Sequence, residues 1–155
     1  MKKVSKIIRI VLIIALVLYA LLCFWVKLQT NDEPIIDPQE ELLAEDGVYT
    51  SVEDVSLYLY QYGKLPGNFI TKKEANKLGW EGGGLEKFAP GKCIGGDTFS
   101  NFEGILPEGH TYHECDIDTL GAKSRGAKRI VFSTDGLIYY TDDHYESFTL
   151  LYGEE

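Results

Sequence analysis

The sequence predicts an α+β domain in which short N-terminal helices pack on a five-stranded antiparallel sheet, preceded by one apolar transmembrane or signal helix. Three observations lead there. After residue 47, helical periodicity comes first and period-two alternation of β-branched and aromatic residues follows Pro90, an order that segregates helices from strands. Asp135-Gly136, between two strand-like runs, is a strong signal for a tight antiparallel turn. The 155 residues, 45% apolar and 25% charged, suffice for one folded domain with an appendage and not for two independent cores.

The appendage comes first. Lys2, Lys3, Lys6 and Arg9 precede an uncharged apolar run from Ile10 to Val26 that Lys27 closes. At a rise of ~1.5 Å per residue the run spans about 26 Å, close to a hydrocarbon core of about 30 Å. Ile7 and Ile8, with Arg9 snorkelling to the head groups, complete a spanning length. Residues 1–27 therefore read as a signal anchor or a signal peptide. Phe24 to Gln29 offer no small-x-small cleavage site, which favours the uncleaved anchor. The basic flank keeps the N-terminus cytoplasmic, so the expected location is extracellular, either secreted or tethered through this helix to the outer face of the cytoplasmic membrane. Residues 28–46, with seven Asp or Glu and no Lys or Arg, read as an acidic tether, and the domain occupies 47–155.

Within the domain, Ser51 is placed to cap a helix whose first turn carries Glu53 and Asp54, whose apolar stripe is Val52, Val55, Leu59 and Tyr62, and whose stop is Gly63. Thr71 followed by Glu74 is a capping box for a second short helix closed by Leu78 and Gly79. A third turn around Leu85 to Phe88 must end before Pro90. Strands are expected over Cys93 to Phe99, Thr111 to Ile117, Arg129 to Ser133, Leu137 to Thr141 and Ser147 to Leu151.

Two polar stretches attract attention as chemistry. In His110-Thr-Tyr-His-Glu-Cys-Asp116 the pleat puts His110, Tyr112, Glu114 and Asp116 on one face and His113, Cys115 and Ile117 on the other. A zinc site using both His113 and Glu114 would need ligands from opposite sides, so no metal site is expected there. In Thr141-Asp-Asp-His-Tyr145, His144 reads either as an acid or base in a loop beside the sheet or as an ordinary surface histidine.

The strings YLYQYGKLPGNFITKKEANKLGW, APGKCIGGDTFSN, EGILP, CDID, RGAKRI and DGLIYYTDDHYESFTLLY decide between them. From Val48 to Tyr152 the chain resembles, collinearly, the bacterial guanyl-specific ribonucleases of the barnase and binase family. The resemblance implies Glu114 as general base and His144 as general acid. It implies Lys72, Arg125 and Arg129 as phosphate-binding cations and Ser100, Asn101, Phe102 and Glu103 as a guanine-binding loop. Tyr145 falls on an aromatic that lies against substrate, and Asp97 on a carboxylate that positions the lysine. The implied protein is a monomeric endoribonuclease without cofactor or metal, cleaving single-stranded RNA after guanosine through a 2',3'-cyclic phosphate. Its implied partner is a small acidic intracellular inhibitor of the barstar type. The alternative is a binding protein that kept the fold and lost turnover, against which stands the intact set of five acid-base and phosphate-binding residues.

Three features depart from that family. Phe102 stands where relatives carry an arginine, a change that weakens electrostatic steering and pairing with an acidic inhibitor. Cys93 and Cys115 replace small residues on the first two strands; in an oxidising compartment they form a disulfide if their Cα separation permits. Finally, 15 basic against 24 acidic residues give a net charge of -9, with +5 on residues 1–27, -7 on 28–46 and -7 on the domain. An acidic domain cannot draw in RNA by its global field, so binding is expected to rest on the local cluster at Lys72, Arg125 and Arg129.

Overall fold

In the computed structural model, which describes residues 18–19 and 42–154, the chain divides into the units 1–37 and 38–155. Of the first unit only Leu18 and Tyr19 are described, both helical, so the expected anchor and most of the tether lie outside the described residues. Among the described residues no helix is long and apolar enough to cross a membrane.

Helix α1, Val52–Tyr62, starts where the Ser51 hydroxyl accepts the Asp54 N–H at 3.1 Å. It stops where Gly63, at φ 64°, turns its own N–H back to the Leu59 carbonyl at 2.8 Å. The final residues of the expected tether are hydrogen-bonded to this helix. Leu43 N–H donates to Gln61 Oε1 at 3.0 Å, Tyr58 OH donates to the Glu45 carbonyl at 2.9 Å, and Lys64 pairs with Glu45.

Strand β1, Phe69–Ile70, leads into α2, Lys72–Lys77, which carries the complete capping box: Thr71 Oγ1 accepts from Glu74 N–H and Glu74 Oε2 accepts from Thr71 N–H. Leu85 to Phe88 form a single turn, in which Leu85 carbonyl accepts from Phe88 and Ala89. Trp80, Leu85 and Ala89 enclose Ala75 of α2 in a small core of their own with Ile94.

The sheet continues with β2 Cys93–Phe99, β3 Tyr112–Asp116, β4 Arg129–Ser133, β5 Ile138–Thr141 and β6 Thr149–Tyr152, in spatial order β1 to β6. It is six-stranded and mixed, not five-stranded and antiparallel: β1 runs parallel to β2, with Phe69 opposite Cys93. Two residues show no alternation, and a parallel partner more than twenty residues away leaves no turn signal. The Asp135-Gly136 turn joins antiparallel β4 and β5, as its composition indicates.

Strand register divides the sheet into two faces. Cys115, Ile130 and Ile138, with Ile117, pack on Val55 and Leu59 of α1. The other face aligns Glu114 with Val131 and Asp116 with Arg129, and at its far end buries Tyr112, Val131 and Tyr139 with Leu106 and Leu137. His113 lies on the α1 side, its ring 5.8 Å from Phe132, opposite in pleat to Glu114.

Glycines shape β2 against β3. A bulge between Gly95 and Asp97, with Gly96 at φ 94°, brings Asp97 opposite Glu114. Gly95 faces Cys115 in register, so Cys93 lies two residues further along. That diagonal separates Cα atoms by roughly 7–8 Å, beyond disulfide reach. Both thiols are free and buried, which answers the question the sequence leaves open; burial pushes each thiol pKa up. A Cβ on Gly95 would stand 2.6 Å from Cys115 Cβ and 2.7 Å from Phe69 Cδ1. Gly95→Ala is therefore expected to destabilise the domain by ~1–3 kcal/mol through overpacking; a urea-denaturation midpoint equal to the wild type's would refute this close approach.

Candidate active site

Alternation in β3 sends Glu114 and Asp116 to the face away from α1, and both are buried. A carboxylate taken out of water is costly unless paired. Asp116 is paired twice over. Its Oδ2 accepts from Arg125 Nε and its Oδ1 from Arg125 Nη2, each at 2.7 Å, while Arg129 Nε stands 3.0 Å from Oδ1. Arg129 spends its other donors on the carbonyls of Arg125, Gly126 and Lys128 and is 2% exposed. Arg125 remains partly open to solvent, with its guanidinium 5.9 Å from the Trp80 ring centre.

Glu114 is held from two sides. Lys72 Nζ donates to Oε1 at 2.5 Å and the Tyr145 hydroxyl donates to Oε2. Burial pushes the Glu114 carboxyl up, but the hydrogen bonds from Lys72 and Tyr145 and the charges of Lys72 and Arg125 outweigh it, so the group titrates below its ordinary 4.5. Lys72 opens α2, and its backbone N–H donates to Asp97 Oδ2 at 2.9 Å. Asp97 thus fixes the lysine through its main chain.

Tyr145 is the hub. Its hydroxyl also accepts from Arg129 Nε at 3.2 Å, and its ring stacks on Phe99 with centroids 5.4 Å apart. Burial first, then the Glu114 carboxylate, pushes the phenol pKa far up, so it stays a donor. His144 is exposed, with its ring 5.0 Å from that of Tyr145. These two successive residues have φ values of 62° and 75°, a left-handed conformation that side chains resist.

A hydrogen-bonded loop holds them there. Thr141 Oγ1 accepts the Tyr145 N–H at 3.0 Å and donates to Asp143 Oδ1 at 2.8 Å; Asp143 also accepts from the Ser147 N–H and hydroxyl. This brace of Thr141, Asp143 and Ser147 is a part of the site that the sequence reading missed. Its only signal is an Asp flanked by hydroxyl residues at turn spacing.

The loop Ser100, Asn101, Phe102, Glu103 borders a cleft of about 330 Å³ shared with His144 and Tyr145. Asn101, a member of the expected guanine-binding loop, spends its amide internally: Nδ2 donates to the Leu106 carbonyl at 2.8 Å and Oδ1 accepts the Leu106 N–H at 3.1 Å. Ser100, Phe102 and Glu103 are exposed. The site thus gathers Glu114, Asp97 and Arg129 of the sheet with Lys72 of α2 and with Arg125 and Tyr145 of the connecting loops, and His144 and the loop 100–103 line the adjoining cleft. Among the described residues no group of three or more His, Cys, Asp or Glu is placed to hold a metal ion.

An ionised carboxylate paired with cations, linked through Tyr145 to a cleft that an imidazole lines, suits an acid-base enzyme acting on a substrate that develops negative charge. The sequence model of the ribonuclease family matches residues 53–152, and the chain belongs to that family of RNA-cleaving enzymes. It is similar to a ribonuclease of Bacillus pumilus, 39% identical over 163 aligned residues that cover 96% of this chain and 98% of the relative. A ribonuclease of Bacillus intermedius is 49% identical over 106 residues, covering 66% of this chain and 65% of the relative. Guanyl-specific ribonuclease St of Saccharopolyspora erythraea is 50% identical over 58 residues, covering 36% and 56%.

The brace has a pH signature. Hydrogen bonds from the Ser147 hydroxyl, the Ser147 N–H and the Thr141 hydroxyl pull Asp143 from its ordinary 3.8 down to about 2. A lowered folded pKa gives stability that is present above pH 3.8 and is lost as pH falls toward 2. Wild type should therefore exceed Asp143→Asn in stability at pH 6, and the gap should close across that acid window. Denaturation curves showing a gap constant from pH 6 to pH 2 would contradict this.

Proposed function

We propose that this chain is an exported endoribonuclease that cleaves single-stranded RNA, preferentially after guanosine, by metal-independent acid-base transesterification. The observation that carries the reading is the pairing around Tyr145: an ionised, buried Glu114 bonded to its hydroxyl, and His144 against its ring on the cleft side.

In this mechanism Glu114 takes the proton of the 2'-hydroxyl as that oxygen attacks phosphorus, and His144 protonates the departing 5'-oxygen. The product is a 2',3'-cyclic phosphate, which water opens to a 3'-phosphate with the two roles reversed. Glu114 is charged at neutral pH because its partners favour the anion, and Tyr145 keeps the carboxylate aimed. Lys72 is 39% exposed at its side chain and Arg125 24%, so both can turn donors toward the phosphoryl oxygens as negative charge accumulates. Arg129 is buried and acts through its charge and its hold on Tyr145, a narrower role than direct phosphate binding.

Guanine recognition falls to Glu103, accepting from the base's N1 and N2 hydrogens, with loop N–H groups donating to O6. Asn101 serves by bracing that loop. Export follows from reading residues 1–27 as an anchor or signal. An acidic inhibitor of the barstar type would find Phe102 where the resemblance puts a cation, and should bind weakly.

The full chain should cleave GpU, and RNA after G, with a cyclic phosphate product and undiminished rate in excess chelator. Glu114→Ala and His144→Ala should each lower kcat by ~10²–10⁴. The acidic limb of kcat/KM should fall below pH 4.5, because the free enzyme's base is lowered. Wild-type rates in either variant would remove the role assignment, and binding of GpU without turnover would remove the enzymatic reading.

A further inference from the structure

Phe102 is 92% exposed, more than any other large apolar side chain among the described residues. Ile105, three residues on, is 48% exposed, and both border the cleft that His144 and Tyr145 share. The turn beneath them is stiff. Beyond the two Asn101–Leu106 bonds, the Gly104 N–H donates to the Asn101 carbonyl at 2.9 Å, and Asn101 sits at φ 44°. The ring is held out on a braced support.

The charges nearby limit what can bind there. Lys72 is engaged by Glu114, and Arg125 and Arg129 by Asp116, within a domain that is acidic in total. Three cations on the face are matched by Glu114, Asp116 and Asp97, so little positive surplus is left to attract a polyanion from a distance. Stacking of a nucleobase on an aromatic face needs no such surplus and acts at contact range. The cleft already has an aromatic interior, with Phe99 and Tyr145 stacked at 29° between planes and Phe148 edge-on to Phe99. A flat, apolar-faced ligand suits these walls.

We propose that Phe102, with Ile105 beside it, is a stacking platform for the nucleobase held in this cleft. It is a base-binding residue that replaces long-range attraction with short-range contact. The identity of that base as guanine rests on the ribonuclease reading above.

The test replaces Phe102 in the full chain by Ala, Trp and Arg. With GpU as substrate, Phe102→Ala should raise KM by roughly tenfold, with the loss falling on KM and not on kcat, whereas Phe102→Trp should keep the wild-type KM. Raising salt from about 0.05 to about 0.5 M should shift the wild-type KM by less than about twofold and that of Phe102→Arg by severalfold. A second readout needs no turnover: 3'-GMP should quench the added indole emission of Phe102→Trp, measured as a difference from wild type. Cleavage with KM unchanged in Phe102→Ala, or emission of Phe102→Trp unaffected by saturating 3'-GMP, overturns the platform and leaves the ribonuclease reading standing. Absent cleavage with quenching intact supports the platform and removes that reading instead.

Discussion

Asp116 carries its charge on the inside of the sheet with only 1% of its surface exposed, a placement that costs several kcal/mol unless the charge is matched. Matching it takes two arginines from different places: Arg129 from β4 directly opposite, and Arg125 from the long connection that precedes β4. The carboxylate therefore does more than satisfy two side chains. It ties that connection to the sheet, and it fixes Arg129 so that its Nε also reaches the Tyr145 hydroxyl. From there the chain of contacts runs through Glu114 to Lys72, and through the Lys72 N–H to Asp97 on β2. Removing the anion would leave two buried or half-buried cations without a partner and would loosen every later link. Breaking a buried pair in this way typically costs about 3–5 kcal/mol.

The second constraint is conformational. Left-handed geometry at both His144 and Tyr145 costs ~1–3 kcal/mol per residue and persists only where the surroundings over-determine it. Here the surroundings are Thr141, buried at the end of β5, and Asp143, which gathers donors from both sides of the turn. The strain turns the Tyr145 hydroxyl inward to Glu114 while His144 stays exposed beside the cleft. An extended backbone at 144–145 would alternate the two side chains across the pleat and separate them. Their closeness on one side is thus a product of the turn.

Much of the frame was legible in the residues because its signals are local. Ser51 and Gly63 bound α1, Thr71 and Glu74 form their box, and Asp135-Gly136 makes its hairpin, each through contacts within a few positions. What escaped is what depends on distant partners. Strand β1 is too short to show a period and pairs in parallel across a long gap. Cys93 and Cys115 sit on adjacent strands as expected, but register places Gly95, not Cys93, opposite Cys115. At the site, letters alone do not distinguish an arginine that faces solvent from one that is walled in, as Arg129 is, nor an Asn that meets a ligand from one that braces its own turn, as Asn101 does.

Charge is where these scales meet. The domain's acidity looks opposed to a polyanionic substrate if binding is taken as a property of the whole surface. The structure divides the problem: buried carboxylates on β3 hold the cations at fixed points, Arg129 walled in and Lys72 and Arg125 partly open to solvent. In the mechanism proposed above, cations so held are pre-organised for charge that develops during reaction, at the expense of attraction beforehand. An enzyme arranged this way needs some other source of ground-state binding. The described residues offer an aromatic cleft with Phe102 at its edge, and contact of that kind is insensitive to the acidic charge elsewhere on the domain.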